Sequence, residues 1–155
     1  MAGVGISAQL PKTATGTSAH SMLQVISAAQ QRSVWNEISI SFDGVTNSAT
    51  PILVELVRNT TAGTWTTPGP TSPATVRKLN NSDQETVQTT CNMNASAEPS
   101  DASDIPWTEL VHPQTGLTWQ APYGQEISLM GGTRMSIRVT AAAGVNCVAR
   151  LKGQE

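Results

Sequence analysis

Two histidines, two cysteines and eleven acidic residues are the side chains of this 155-residue sequence that could serve as bases, nucleophiles or metal ligands. Their spacing gives them little to do together. His20 and His112 have no Cys, Asp or second His at an interval that predicts a zinc set or a catalytic triad, so each reads as a surface histidine. Glu98, Asp101 and Asp104, in "NASAEPSDASDIPW", lack the alternating oxygen ligands and closing Glu of a calcium loop and read as a solvated acidic turn. Glu109 and Glu126 could be cast as a glycosidase pair, but only their separation in space would qualify them. "MGGTR" at Met130 matches no phosphate-cradling pattern and reads as a hairpin turn.

Cys91 and Cys147 belong to no CxxC or Cys/His cluster. In "GVNCVARL", Cys147 shares parity with Val145, Ala149 and Leu151, which predicts a buried small hydrophobe. A reactive thiol needs an electropositive, partly exposed setting that nothing nearby supplies. A Cys91–Cys147 disulfide stays open at this stage, although it would be unexpected in a reducing compartment. No catalytic residue, metal site or cofactor is expected.

The tryptophans Trp35, Trp65, Trp107 and Trp119 invite a sugar-binding reading, because exposed indoles stack on pyranose faces. Three lie in or beside expected strands, where an indole packs a core or a subunit boundary. Trp65, in a long loop, is the one candidate for an exposed contact. Three sequons, starting at Asn59, Asn80 and Asn94, follow from a sequence rich in Thr, Ser and Asn.

The elements that must position these groups are strands. The dominant period is two: "VWNEISISFD" places Val34, Asn36, Ile38, Ile40 and Phe42 on one face and Trp35, Glu37, Ser39 and Ser41 on the other. "ILVELVR" sets Ile52, Val54 and Leu56 opposite Leu53, Glu55 and Val57, after a turn rich in Gly, Asn and Pro. Late in the chain Met135, Ile137 and Val139 point inward, as do Val145, Cys147, Ala149 and Leu151, with "AAAG" turning the chain between them. Shorter strands are expected at 22–28, 86–93, 107–112, 117–120 and 126–130, and no helical stripe is sustained. Short strands with Gly/Pro/Asn punctuation predict an all-β, single-domain antiparallel β-sandwich or jelly roll with long loops. Residues 59–84 read as an extended surface excursion. Residues 1–20, small and polar around Val4, Ile6 and Leu10, read as an N-terminal arm ordered by a neighbour, leaving residues 21–155 as the sandwich domain.

Composition narrows the partners. Charged residues are 13% of the chain, and a net charge of −2 supplies no basic footprint for a phosphate backbone, so nucleic acid is not an expected partner. "MLQVISAA" is too short to span a bilayer, and "MAGVGISAQLPK" has no basic n-region or long apolar stretch, so no membrane partner is expected and synthesis and retention in the cytoplasm are.

The SFDG strand and turn, "VELVRNTTAGT", "HPQTGL", "PYGQEI" and the closing GG-R-IRVT-AA-VN-A hairpin span most of Ile38 to Leu151. Together they resemble small proteins encoded among the structural genes of tailed bacteriophages, similar to capsid decoration (cement) proteins. The resemblance implies a β-sandwich that assembles, often as trimers, on the outside of an icosahedral head, clamping neighbouring major capsid subunits, with no catalytic residue to carry over. In that setting Val4, Ile6, Leu10 and Trp65 are the expected capsid or subunit contacts, with the arm adding to or draping over the partner. The protein is then expected in the virion, on the capsid exterior. A phage receptor- or carbohydrate-binding module with Trp65 at an exposed tip, or a capsid or tail building block, would use the same fold.

Overall fold

The computed structural model of the chain describes residues 3–45, 50–66 and 76–155. Among them the strands are β1 (Gly5–Ala14), β2 (His20–Ile26), β3 (Ser33–Phe42), β4 (Ile52–Asn59), β5 (Thr64–Trp65), β6 (Val76–Lys78), β7 (Thr90–Met93), β8 (Ala95–Ala97), β9 (Asp101–Val111), β10 (Gly116–Gln120), β11 (Ile127–Leu129), β12 (Arg134–Thr140) and β13 (Asn146–Gln154). They form two antiparallel sheets over one core, as expected of an all-β sandwich. The first runs β10-β3-β13-β1-β6, with β11 also on β3; the second runs β7-β2-β12-β4-β9; β5 and β8 pair by themselves.

The chain changes sheet at almost every turn. β1 and β3 lie in the first sheet and β2 and β4 in the second, so neighbours in sequence face each other across the core instead of pairing. The same holds late in the chain. "MGGTR" and "AAAG" are therefore not hairpin turns: each carries the chain from one sheet to the other, between β11 and β12 and between β12 and β13. The first needs its glycine, because a Cβ on Gly131 would lie 2.5 Å from the Ala29 carbonyl oxygen.

The expected arm is overturned. Residues 5–14 are a strand in the middle of the first sheet, paired along its length with β13 and over Ile6–Ala8 with β6. Val4, Ile6, Ala8 and Leu10 belong to the core, with Ile6 and Ala8 at 0% exposure and Leu10 at 1%. The alternation is the ordinary strand pattern, but with few large side chains between serines and threonines it looks like solvated chain. It ends where the register slips between Leu10 and Thr13, at Pro11, a residue that lacks an amide proton and suits a bulge. Met1 and Ala2 lie outside the described residues, as do 46–49 of the β3–β4 turn and 67–75 of the expected excursion. The rest of that excursion includes β5 and β6.

Bulges also reset the expected faces. Lys152 pairs with Glu37 and Gly153 with Trp35, so Asn36 has no residue opposite it. The extra residue turns Trp35 inward, onto the same side as Ile38, Ile40 and Phe42, contrary to a strict two-residue alternation. Trp35 is 1% exposed and its indole N–H donates to Ser33 Oγ at 3.0 Å. In β2 a second slip, between the pairs Ile137–Leu23 and Arg138–Ser21, buries Met22 and Leu23 together.

The second sheet is covered on both faces. β7 and β9 lie on its opposite edges, so residues 94–100 must cross it, and the filled core leaves only the outer face. The crossing starts where Asn94 N–H donates to the Met22 carbonyl (2.8 Å) and ends where Thr60 N–H donates to the Ser100 carbonyl (2.9 Å). Gln24, Ser136, Val57 and Asn59 on that outer face are consequently buried. The polar ones satisfy each other: Gln24 Nε2 donates to Asn59 Oδ1 (3.2 Å), Asn92 Nδ2 to Gln24 Oε1 (3.2 Å), and Ser136 Oγ to Asn59 Oδ1.

Candidate functional site

The groups singled out by chemistry are tied into the fold. His20, the first residue of β2, places Nε2 2.8 Å from Asn94 Oδ1 and Nδ1 3.3 Å from Glu98 Oε1. Glu98 also accepts from the Ser21 amide at 2.9 and 3.1 Å. These contacts staple the crossing segment, the expected acidic turn, to the sheet beneath it. Asp104 lies 2.6 Å from Arg58, and the Asp101 side chain lies outside the described residues. His112 Nδ1 accepts from the Gln114 amide in the turn joining β9 to β10. Glu126 accepts from the Gly124 amide in the β10–β11 turn, while Glu109 is exposed on β9.

Cys91 and Cys147 are free and buried, on strands of opposite sheets. Burial pushes their thiols up to about 11 and about 12, so both stay protonated at neutral pH. Among the described residues no group of three or more His, Cys, Asp or Glu is placed to hold a metal ion.

The outer face of the first sheet carries one strongly coordinated carboxylate. Glu37 receives Lys152 Nζ at 2.8 Å, Arg150 at 3.0 Å and Gln120 Nε2 at 3.2 Å, which links β3, β13 and β10. The Lys152 hydrogen bond is the main reason the Glu37 pKa is lowered from 4.5, and desolvation opposes it. A carboxylate whose folded pKa is depressed adds stability above its unfolded value and loses it as the pH falls through the folded one. Glu37→Gln is expected to destabilise by about 1.5 kcal/mol at neutral pH, in the range for hydrogen bonds to charged groups. The melting-temperature gap from wild type should close as the pH drops below 4.5. A gap independent of pH would show that the charge of Glu37 contributes nothing. At the end of the same sheet Asp43 joins Lys12 (2.7 Å) and Asn146 (2.8 Å), contacts that hold its carboxyl well below the usual range.

The surface best built for contact is the side of the sandwich where β9 and β10 are edge strands. Among the described residues β9 pairs only with β4, and β10 only with β3. Trp107 and Trp119, one from each edge, meet with ring centroids 6.1 Å apart and planes tilted 45°, closing the gap between the sheets. Outside this seam Leu110 is 62% exposed and Ile105 40%. Pro106 between them has no amide proton, which suits a strand with one unpaired side. That proline is the signal in "DIPWTELV" that marks an edge strand; alternation alone predicts a strand only over 107–112, and β9 begins at Asp101.

The four expected contact residues do not come together. Val4, Ile6 and Leu10 are interior, spent on the chain's own core, which corrects their reading as capsid or subunit contacts. Trp65 lies apart from them on β5, partly exposed, with its indole N–H donating to the Ala62 carbonyl. No family model, curated protein or solved structure matches the chain.

Proposed function

We propose that this chain is a non-enzymatic structural protein of a tailed-phage virion that binds the outside of the capsid and stabilises the head by bridging major capsid subunits. The observation that carries the reading is the β9 edge. It is eleven residues long, has no strand on one side among the described residues, and presents Ile105 and Leu110 to solvent beside the tryptophan seam. An open strand edge flanked by apolar side chains is what a partner's extended segment can complete, main chain to main chain, with its side chains seated on the exposed ones. The framework pieces that resemble decoration proteins include this strand's partner β4, the turn that follows it, and β12 and β13. The buried β1 removes the draped arm from the mechanism and leaves the edge to do the docking, with copies joining as a homotrimer through other faces. A glycan-binding reading is less well served, because Trp65 uses its indole N–H within its own loop.

The test is attachment. Purified protein mixed with undecorated heads should co-sediment with them, and electron cryo-microscopy should place it across capsid-subunit junctions. Leu110→Asp should weaken attachment at least about tenfold, equivalent to 1.4 kcal/mol, without lowering the melting temperature, since the side chain is mostly in water. Attachment unchanged by Leu110→Asp would remove β9 as the docking edge, and density in the tail or nowhere in the particle would remove the decoration role.

A further inference from the structure

The outer face of the first sheet is more positive than the rest of the molecule. Residues directly opposite in an antiparallel ladder share a face. Ser7 lies opposite both Lys152 and Arg77, Lys152 opposite Glu37, Gln9 opposite Arg150, and Ser39 opposite Arg150 and Thr118. All of these alternate with the core residues Ile6, Ala8, Leu151, Ala149, Ile38 and Ile40, so they point outward. Lys12 and Asp43 cancel each other at the end of the sheet. Arg77, Arg150 and Lys152 then stand against Glu37 alone, on a chain whose net charge is −2. Residues 67–75, outside the described ones, contain no acid that could balance them.

A hollow of about 390 Å³ opens on this face where the ladder slips at Pro11, lined by Gln9, Ser39, Ser41, Arg77, Val148 and Arg150 among others. Arg77 on β6 and Arg150 on β13 flank β1, two strands and about 10 Å apart across the ladder, a span that two long side chains can close over Gln9. Arg77 is exposed and makes no hydrogen bond or ion pair among the described residues. Arg150 gives one terminal nitrogen to Glu37 at 3.0 Å and keeps its side chain 39% exposed. No Asp or Glu is among the described residues that line the hollow.

A concave wall carrying one sign of charge concentrates counter-ions, and a guanidinium fork matches the oxygens of a carboxylate or phosphate. Between the two forks, the Gln9 amide and the hydroxyls of Ser39 and Ser41 both donate and accept, which suits the hydroxyls of a ligand. Val148, 46% exposed, offers an apolar contact in the same hollow. We infer that this hollow binds a small hydroxylated acid, a sugar acid or a sugar phosphate. Arg77 and Arg150 take its anionic group and Gln9, Ser39 and Ser41 its hydroxyls. The site is independent of the capsid role and uses neither the docking residues of β9 nor Trp65.

The experiment follows the backbone amide signals of the full chain by NMR. Glucuronate and glucose 6-phosphate are the probes, glucose the uncharged control, and acetate the anion without hydroxyls. At least one probe should shift the signals of Gln9, Ser39, Ser41, Arg77 and Val148 saturably, and bind at least tenfold more tightly than glucose or acetate. The tighter of the two probes assigns the anionic group to a carboxylate or a phosphate, both within the class. Arg77→Gln, at an exposed position, should weaken that probe at least tenfold and leave the melting temperature unchanged. Saturable shifts from neither probe, or shifts confined to other parts of the chain, would overturn the inference on the wild-type protein alone. Glucose or acetate binding as tightly as the better probe, or an affinity unchanged in Arg77→Gln, would overturn it as well.

Discussion

Deleting residues 1–14 is expected to abolish folding, not merely to weaken a contact with a partner. The deletion takes Val4, Ile6, Ala8 and Leu10 out of the core and strips β13 of its neighbour along eight paired positions. It also leaves β6 with no strand to pair with. Truncating a single buried Ile or Leu to Ala costs about 2–5 kcal/mol. Native chains of this kind are stable by about 5–15 kcal/mol in total, so losing two such side chains and a central strand exceeds what the fold can spare. The truncated protein should lack a cooperative thermal transition and collect in the insoluble fraction. Ile6→Ala and Leu10→Ala, each at about 2–5 kcal/mol, give the graded version by urea titration. A soluble truncated chain with the wild-type melting temperature would restore residues 1–14 as a dispensable arm.

Gly153→Ala should be nearly as damaging for a methyl group that adds apolar surface. Gly153 lies opposite Trp35 at the bulge, and a Cβ there would sit 2.1 Å from the Val34 carbonyl oxygen and 3.0 Å from the Trp35 Cα. Both are backbone, so the strands must separate where the fully buried Trp35 is anchored. Overpacking costs typically about 1–3 kcal/mol where side chains can yield. With backbone on both sides we expect the upper end, at least about 3 kcal/mol by chemical denaturation, with a blue-shifted tryptophan emission moving red as Trp35 loses its cover. Gly144→Ala is the matched control, because the nearest atom to a Cβ there is 3.9 Å away. Equal, small effects at both positions would mean that the bulge tolerates a side chain and that Trp35 is held inward by packing alone.

These two expectations concern the same feature of the molecule. A chain with little charge and few large hydrophobes builds one core from both sheets and needs its first strand for it. What the proposed function leaves for a partner is the β9 edge with Leu110.

The sequence by itself determined the class of fold and the inward faces of its regular strands. Met135, Ile137 and Val139, and likewise Cys147, Ala149 and Leu151, are buried as their alternation requires, because successive side chains of a strand point to opposite faces and every second one faces the core. It also showed that its histidines, cysteines and acids have no shared spacing. Only the tertiary structure decided the rest. Alternation says that a segment has an inner face but not whose interior it faces, so Ile6 and Leu10 could not be told from contacts with another subunit. A bulge is a mismatch between two strands and exists only once they are paired, so the side taken by Trp35 was fixed by Gly153, more than a hundred residues away. The Trp107–Trp119 seam joins two consecutive strands that lie in opposite sheets, and which sheet each strand enters is a choice no local pattern carries.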